Sequence, residues 1–482
     1  MVSIAKRFLG GASMLPKDHP HDALPSDREL YSSFSRLAIP SVLEMVLISL
    51  INMADTVMVS TVGTDAVAAV GLVGQPRFIM LCFFWALSTG ITAVVARRKG
   101  EDRREDANLA LRNTLVISLF LSVVLTALFL PFSTPLMRFA GAVEGETLED
   151  ATEYFIIVTL ALPFNALSMI ICAGQRGAGY TKLTMQVNIT SNLVNILFNY
   201  LLINGIGPFP RMEVRGAAIA TFIGLFMGFI LSVISLFTGR RKQSFLALEK
   251  HASWRMNKMA SMDVVRVAMG AMVEQICMRI GFFSYAKIVA ELGTNAFAAH
   301  QIDMQFLSLS FSFADGLGIA GTALVGQMLG KKRKDLAHIY GTLTQRISFM
   351  ISIILASLCI LLRAPLVSMF INPDNAGPGV REMAENVMIV VGIFQPVQMV
   401  SVVAAGALRG AGDVKYTAKV MALTVTLIRP VLAILAVKLL KDSYGIDVAL
   451  IGAWVAGLAD MTVRLILMVR RYQAGNWEDL IV

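Results

Sequence analysis

Charged residues are scarce in this sequence. Asp, Glu, Lys and Arg make up only 16% of the 482 residues, whereas hydrophobic residues make up 56%. This balance excludes a water-soluble domain of this length, because so few polar residues could not cover its surface. The net charge of +9 does not indicate nucleic-acid binding either, since the basic residues form short clusters between apolar stretches, not one basic face.

Cysteine is also rare. All four cysteines lie inside apolar segments, where a free thiol behaves as a small buried side chain, so neither a disulfide framework nor a thiol-bound metal is expected. The catalytic signatures HExxH and GxSxG are absent, as is the nucleotide-binding signature GxxxxGK[ST]. An enzyme or a nucleotide-driven pump is therefore disfavoured, and no cofactor is expected.

Long apolar runs, in contrast, are abundant. A helix that crosses a bilayer needs about 20 mostly apolar residues. Twelve segments meet this requirement, and they begin near residues 37, 67, 109, 152, 184, 216, 263, 296, 340, 383, 417 and 449. The clusters of Lys and Arg all fall on one side of such an arrangement, at positions 6–28, 97–104, 240–242, 331–334 and 470–471. Because cytoplasmic loops retain positive charge, both termini are predicted to be cytoplasmic.

The chain contains an internal repeat. A shift of 230 residues aligns 40–100 with 270–330 without a gap, with 14 identities in 61 positions. At a shift of 233 residues, the Arg-Gly-Ala-Gly sequence at 176–179 meets the same sequence at 409–412. Six spans in each half make the halves parallel, with a cavity between them. The predicted fold is an all-α polytopic membrane protein of twelve transmembrane helices, in two parallel six-helix bundles related by a pseudo-twofold axis.

The repeat also divides the chain into segments. We predict a cytoplasmic tail (1–36), an N-lobe (37–238), a cytoplasmic linker (239–262), a C-lobe (263–472) and a cytoplasmic C-terminal tail (473–482). The first segment is polar and proline-containing, without the apolar core of a cleaved signal. Duplicated bundles of this kind are typical of secondary transporters, so transport is the favoured function.

Several motifs resemble those of the multidrug and toxic compound extrusion (MATE) family. They are Leu37-Ala38-Ile39-Pro40, Asn52-Met53-Ala54-Asp55-Thr56, Gly63-Thr64-Asp65-Ala66 and the two Arg-Gly-Ala-Gly loops. The sequences Ala299-His300-Gln301-Ile302 and Asp315-Gly316-Leu317 look most like the bacterial DinF-like branch. The resemblance implies an exporter of organic, often cationic, compounds in exchange for inward H+ or Na+, by alternating access, in the inner membrane of a bacterium. We expect it to act as a monomer in contact with membrane lipid, without nucleic acid.

Polar side chains inside the spans identify a candidate coupling site. Asp55 follows Pro40 by 15 residues, about 22 Å along the first span, and so lies in its outer half. Asn195 and Asn199 share one face of the fifth span, and Thr221 lies early in the sixth at a similar level. Their partners in the repeat could not form a cation site: they are Tyr285, Ile428, Leu432 and Gly457. This difference favours a function in ion binding, although Asn and Thr in membranes often only tie helices together.

By resemblance, these four residues fall on positions that form the N-lobe cation and proton site in some family members. Position 199 often carries a carboxylate there, whereas this chain has Asn199. A carboxyl group in a low dielectric favours its neutral form, so Asp55 alone could carry a proton. Na+ prefers several hard oxygens with more negative charge nearby, so we favour H+, although backbone carbonyls could complete a Na+ site. Pro40 could let the first span bend when Asp55 changes charge.

The second half has charges of its own. One interpretation is an interior ion-pair set, in which Arg279 or Lys287 neutralises Glu274 or an aspartate, Asp303 or Asp315. The other is a second coupling or substrate site, since Glu274 matches an acid on the seventh span that binds cations in some members. The residues that could line the central cavity are Glu44, Met45, Met53, Phe283 and Tyr285.

Two other functions stay open. A flippase for lipid-linked precursors shares the architecture of the superfamily but needs a basic cavity for pyrophosphate. Here the embedded cations Arg279, Lys287 and Arg429 are matched by at least as many acids, so a flippase ranks second. A membrane-embedded enzyme is the remote alternative.

Overall fold

The computed structural model describes residues 10–15, 23–237, 244–247, 254, 256–370 and 379–480. Within these ranges the chain is helical without a strand, which confirms the all-α class. The helices are α1 (Asp27–Ser60), α2 (Thr64–Gly100), α3 (Arg104–Phe129), α4 (Ser133–Ala140), α5 (Glu146–Leu160), α6 (Leu162–Gly177), α7 (Thr181–Asn204), α8 (Glu213–Phe237), α9 (Lys258–Ala290), α10 (Thr294–Gly330), α11 (Lys334–Leu361), α12 (Arg363–Ser368), α13 (Val380–Gly410), α14 (Val414–Met421), α15 (Arg429–Tyr444) and α16 (Ile446–Gln473). A π-helical segment, Ala422–Ile428, joins α14 to α15.

Each of the twelve predicted spans has a helical counterpart. In the described part of the chain, ten helical segments are long and apolar enough to cross a membrane, and the pair α5–α6, bent by 48°, makes an eleventh when it is counted as one span. α7, with 24 residues and five asparagines, corresponds to the fifth predicted span. α1 begins at Asp27, before residue 37, where the first span was predicted to begin. The polar residues that precede the apolar stretch add further turns to the helix.

The chain packs into two compact units. The N-terminal unit comprises Ile39–Met272, and the C-terminal unit comprises Met1–Ala38 together with Val273–Val482. Each unit therefore holds the helices of six predicted spans. The predicted boundaries of the tails and the linker, parts of which lie outside the described residues, stay predictions.

The internal repeat is visible as two equivalent helix crossings. In the N-terminal unit, Thr92 on α2 donates a hydrogen bond to the carbonyl oxygen of Ala173 on α6 at 3.0 Å. In the C-terminal unit, its repeat partner Thr322 on α10 donates to the carbonyl oxygen of Gly406 on α13 at 2.7 Å. A Cβ atom at Gly177 would lie 2.5 Å from the Thr92 carbonyl oxygen, so this helix crossing requires the first glycine of the Arg-Gly-Ala-Gly motif.

Large apolar side chains cover much of the outer surface. Examples with more than half of the side chain exposed are Phe120, Leu128, Ile354 and Leu439. Exposed apolar area of this extent would cause a protein to aggregate in water, whereas it is the expected solvent-facing surface in lipid. The surface therefore agrees with the membrane location that the composition indicates.

Candidate functional site

The structure brings the four predicted coupling residues together in the N-terminal unit. Asp55 on α1 accepts a hydrogen bond from the side-chain amide of Asn199 on α7, with 3.0 Å between Asn199 Nδ2 and Asp55 Oδ1. Asn195 lies one turn earlier on α7, with 3.3 Å between its side-chain amide and Asn199 Nδ2. Thr221 on α8 completes the group, because its hydroxyl lies 3.4 Å from the Asn195 amide. Three helices therefore contribute to one polar cluster.

The cluster is enclosed on its α7 side and more open around the carboxyl group. Asn195 and Asn199 are buried, whereas Asp55 and Thr221 are half-buried. Asn199 Oδ1 is buried and has no hydrogen-bond partner among the described residues. The nearby Asn192 is not part of the cluster, since it donates to the carbonyl oxygen of Asn188 on its own helix. The cluster thus combines one acid with amide and hydroxyl groups, one of which has unused acceptor capacity.

The orientation of the Asn195 amide follows from the groups around it. With its nitrogen towards Asp55, Asn195 Nδ2 donates to Asp55 Oδ2 at 2.9 Å and Oδ1 at 3.1 Å, and its oxygen accepts from the Thr221 backbone N–H at 3.1 Å. The opposite orientation would place the amide oxygen against the carboxylate oxygens and the NH2 group against the Thr221 N–H. Asn195 therefore acts as a donor to the Asp55 carboxylate.

A glycine on α8 sets the distance between the two helices that carry the amides. A Cβ atom at Gly224 would lie 2.8 Å from Asn195 Cβ and 3.0 Å from the carbonyl oxygen of Ser191. The Ser191 hydroxyl donates to the Gly224 carbonyl oxygen at 2.7 Å, which holds α7 and α8 together at this level. Gly224 could not be predicted as part of the site, because close approach between helices cannot be read from a single glycine in the sequence.

Replacement of Gly224 by alanine should therefore disturb the site without touching its polar groups. The added methyl group separates α7 from α8 and displaces Asn195 from Asp55, and overpacking of this kind costs about 1–3 kcal/mol. We expect slower substrate efflux in proteoliposomes and a lower unfolding temperature in detergent. Gly74→Ala is the matched control, since a Cβ atom there meets nothing within 4 Å. Equal efflux by the two variants would contradict this role of Gly224.

Glu44 lies in a buried ion pair in the same unit. Its side chain is fully buried, and its carboxylate accepts hydrogen bonds from Arg176 at 3.1 Å, Thr184 at 3.0 Å and Asn188 at 2.6 Å. We predicted that Glu44 lines a cavity, but the structure places it inside an ion pair that joins α1, α6 and α7. A carboxylate can accept about four hydrogen bonds, and the Glu44 carboxylate accepts three from side chains of the same unit.

Glu274 forms the equivalent ion pair in the C-terminal unit. Its carboxylate accepts hydrogen bonds from Arg409 at 2.7 Å and from Thr417 at 3.2 Å. For Glu274 the cation is therefore Arg409 on α13, whereas the pairing of Arg279 or Lys287 with Glu274 or an aspartate stays a prediction. Residues five apart on one helix, such as 274 and 279, point to different faces.

The two pairs repeat one another residue by residue. Glu44 and Glu274 are 230 positions apart, whereas Arg176 and Arg409, like Thr184 and Thr417, are 233 positions apart. These are the two shifts of the internal repeat. The sequence therefore contained the signal for this pairing, in the form of a Glu, an Arg and a Thr that recur together in both halves.

The two aspartates of α10 lie in different surroundings. Asp315 is within electrostatic reach of Glu274 and Arg409, whereas Asp303 is fully buried. Neither carboxyl oxygen of Asp303 has a hydrogen-bond partner in the described part of the chain. Of the predicted set, Glu274 and Asp315 are therefore near one another, with Arg409 as the cation, while Asp303 lies apart.

The C-terminal unit also contains a buried group of three charged side chains, here called the ion triad, that was not predicted from the sequence. Asp460 on α16 accepts hydrogen bonds from Arg429 on α15 and, at 2.6 Å, from Arg464. All three side chains are buried, and Arg464 also donates to the Thr424 hydroxyl at 3.1 Å. Thr424 belongs to the π-helical segment, so the triad stabilises the irregular turn that precedes Arg429.

The other predicted cavity residues are distributed differently. Met53 and Phe283 are exposed, with 47% and 69% of their surface accessible, and Met45 is half-buried. Tyr285 is buried and packs edge-on against His300, with 5.6 Å between ring centroids, so it does not line an open cavity. Pro40 lies inside α1, which continues through it as one helix, and its effect on bending stays a prediction.

Comparison with known proteins agrees with this architecture. The MatE family model matches residues 40–201 and 271–435, one region in each half of the repeat. "Probable multidrug resistance protein NorM" of Thermotoga maritima is 29% identical over 95% of both chains. "Uncharacterized transporter YisQ" of Bacillus subtilis is 26% identical and covers 94% of this chain and 96% of its own.

Solved structures show the same fold. An outward-facing multidrug resistance MATE family transporter of the MOP superfamily has a TM-score of 0.84 at 21% identity, over 92% of this chain and 96% of that one. A MOP superfamily transporter from Pyrococcus furiosus has a TM-score of 0.84 at 20% identity, over 92% and 95% of the two chains. The twelve-span prediction is confirmed, while the DinF-like branch stays a prediction. Since the family model covers more than half of the sequence, the chain belongs to the MatE family.

Proposed function

We propose that this chain is a secondary active antiporter that exports organic, often cationic, compounds in exchange for inward H+. Family membership and the twelve-span fold support transport. Relatives named as multidrug resistance proteins in Thermotoga maritima and Photorhabdus laumondii support organic substrates. The observation that carries the proposal is the polar cluster around Asp55, because it surrounds one half-buried carboxyl group with the side-chain amides of Asn195 and Asn199.

The chemistry at Asp55 is proton binding and release. In the charged state, the amide groups of Asn195 and Asn199 donate to the carboxylate. Protonation of Asp55 removes the negative charge that these amide donors stabilise, so the strength of the contact between α1 and α7 depends on the charge state of the carboxyl group. A half-buried acid can meet water from the outer side and, after the bundles rearrange, from the inner side.

The composition of the cluster favours H+ over Na+. Na+ would need several oxygen ligands with negative charge nearby, by the logic that applies to hard cations generally. The cluster holds one carboxylate and one amide oxygen without a partner, that of Asn199. A proton needs only the carboxylate. We place the protein in the inner membrane of a bacterium with both termini cytoplasmic, as the Lys and Arg clusters indicate, where it acts as a monomer without a cofactor.

A lipid-linked precursor flippase is supported less well. Recognition of a pyrophosphate needs arginines whose charge is available to the ligand. In the described residues, Arg176 and Arg409 are paired with buried glutamates, and Arg429 and Arg464 share Asp460. These four cations are already neutralised inside the protein.

The coupling ion can be tested with purified protein in proteoliposomes. A fluorescent organic cation is placed where it can be exported, and H+ and Na+ gradients of equal size are imposed separately. We expect efflux under the H+ gradient, with alkalinisation of the medium from which H+ is taken, and none above protein-free liposomes under the Na+ gradient. Efflux driven by Na+ alone would overturn the choice of H+.

A further inference from the structure

A second buried carboxyl group lies in the C-terminal unit, well away from any partner. Asp303 is on α10 and its side chain has no exposed surface. Neither Oδ1 nor Oδ2 has a hydrogen-bond partner within the described residues. Its neighbours one turn away on the same face, Ala299 and Leu307, are buried as well. The carboxyl group is therefore enclosed by protein.

The surroundings of Asp303 are apolar and aromatic. Residues of α13, among them Met388, Val391 and Phe394, belong to the same buried cluster as Ala299 and Leu307. Two polar groups from other helices lie within electrostatic reach of Asp303, namely the phenol of Tyr285 on α9 and the thiol of Cys359 on α11. Neither group carries a positive charge, so neither neutralises an ionised aspartate.

Three basic side chains of the C-terminal unit contact groups other than Asp303. His300, one turn before Asp303, lies with its ring 5.4 Å from that of Trp454, and its Nδ1 has no described partner. Arg429 lies beyond Tyr285, with 5.7 Å from its Cζ to the Tyr285 ring centroid, and is bound to Asp460. Arg464 is bound to the same aspartate. Within the described residues, no basic side chain donates to the carboxyl group of Asp303, and no charged neighbour acts on it.

Comparison of the two halves of the repeat indicates that the fold does not need a carboxyl group at position 303. At the shift of 230 residues, Asp303 corresponds to Val73 on α2. Val73 is buried to the same degree, with 1% of its surface exposed. The N-terminal unit thus fills the equivalent position with an apolar side chain. An unpaired aspartate in its place costs stability, so folding alone does not explain why position 303 carries a carboxyl group.

From this geometry we propose that Asp303 is a second proton-binding carboxyl group, which is protonated in the closed pocket and releases its proton when the C-terminal unit admits water. An ionised carboxylate without a partner in such a pocket would cost several kcal/mol. The proton is taken from water on one side and returned to water on the other, so no other reactant is needed. This inference rests on H+ coupling as proposed above and adds a second H+ to each transport cycle.

The test compares Asp303→Asn with Asp303→Val, which installs the residue of the repeat partner. In proteoliposomes, we expect the wild type to move H+ and substrate in a fixed ratio, and we expect Asp303→Asn to lower the H+ to substrate ratio to about half, because one of two proton sites is gone. Asp303→Val should do the same and keep or raise the unfolding temperature. A ratio unchanged in both variants would overturn the proposal, because Asp303 would then hold its proton permanently.

A second measurement separates this proposal from the one for Asp55. Infrared spectroscopy of the purified protein in detergent detects the C=O stretch of protonated carboxylic acids without any transport. We expect a band that is lost in Asp303→Asn and kept in Asp55→Asn, and that weakens when substrate or raised pH opens the pocket. The absence of such a band in the wild type would overturn the assignment to Asp303 even if efflux is H+-driven. A responsive band together with Na+-driven efflux would reject the proposed coupling ion and leave Asp303 as a proton site.

Discussion

Asp55→Asn should uncouple substrate export from the H+ gradient. The amide of an asparagine has nearly the shape of the neutral carboxyl group, so the cluster with Asn195 and Asn199 can form. The asparagine side chain cannot lose a proton, however, so the site stays in its neutral state. Coupling between two ligands of a protein typically amounts to about 5- to 150-fold, and we expect H+-driven efflux to fall by a factor in this range or to background.

The measurement is efflux from proteoliposomes, alongside substrate binding in detergent. Binding should persist in Asp55→Asn, since only exchange of the proton is blocked. Asp106→Asn is the matched control, because Asp106 is another aspartate of the N-terminal unit, in an exposed ion pair with Arg103, and exposed pairs contribute little. Full activity of Asp55→Asn under either an H+ or a Na+ gradient would remove Asp55 from the mechanism.

Local periodicity explains why the site around Asp55 could be predicted from sequence. Asn195 and Asn199 are four residues apart, so any helix places them on one face. The depth of Asp55 and Thr221 follows from counting residues along spans that must cross a bilayer of fixed thickness. Contacts at one level between neighbouring spans then need no further information. The orientation of the Asn195 amide, in contrast, follows from its hydrogen-bond partners and cannot be read from the sequence.

Partner choice between distant helices was harder to predict. From the sequence, cations on its own span were candidate partners for Glu274, whereas the structure pairs it with Arg409 on another helix. The rotation of a helix about its axis decides which side chains meet, and packing fixes that rotation. Asp303 shows the same limit, because the sequence left open whether it belongs to an ion pair or to a second coupling site, and the structure gives it an enclosed apolar site. Only comparison of the two halves, in which Glu44 repeats Glu274, could have indicated the pairing.

The largest effect on stability should come from Asp460. This aspartate neutralises Arg429 and Arg464 in the interior of the C-terminal unit, and none of the three residues is more than 2% exposed. Its replacement by alanine leaves two buried guanidinium groups without a counter-ion. Removal of one partner from a buried ion pair costs about 3–5 kcal/mol. We expect Asp460→Ala to lose that amount of unfolding free energy, measured by denaturant titration in detergent.

Two further variants show whether the loss comes from unpaired charge. Glu385→Ala breaks an exposed pair with Arg381 and should cost no more than about 1 kcal/mol. The triple replacement Asp460→Leu, Arg429→Met, Arg464→Met removes all three charges and should recover most of the stability, because apolar residues of similar volume fill the same space. If the triple variant were as unstable as Asp460→Ala, packing around the π-helical segment, and not the charge, would be the source of the loss. In that case the triad would serve to hold Thr424 and its irregular turn in place.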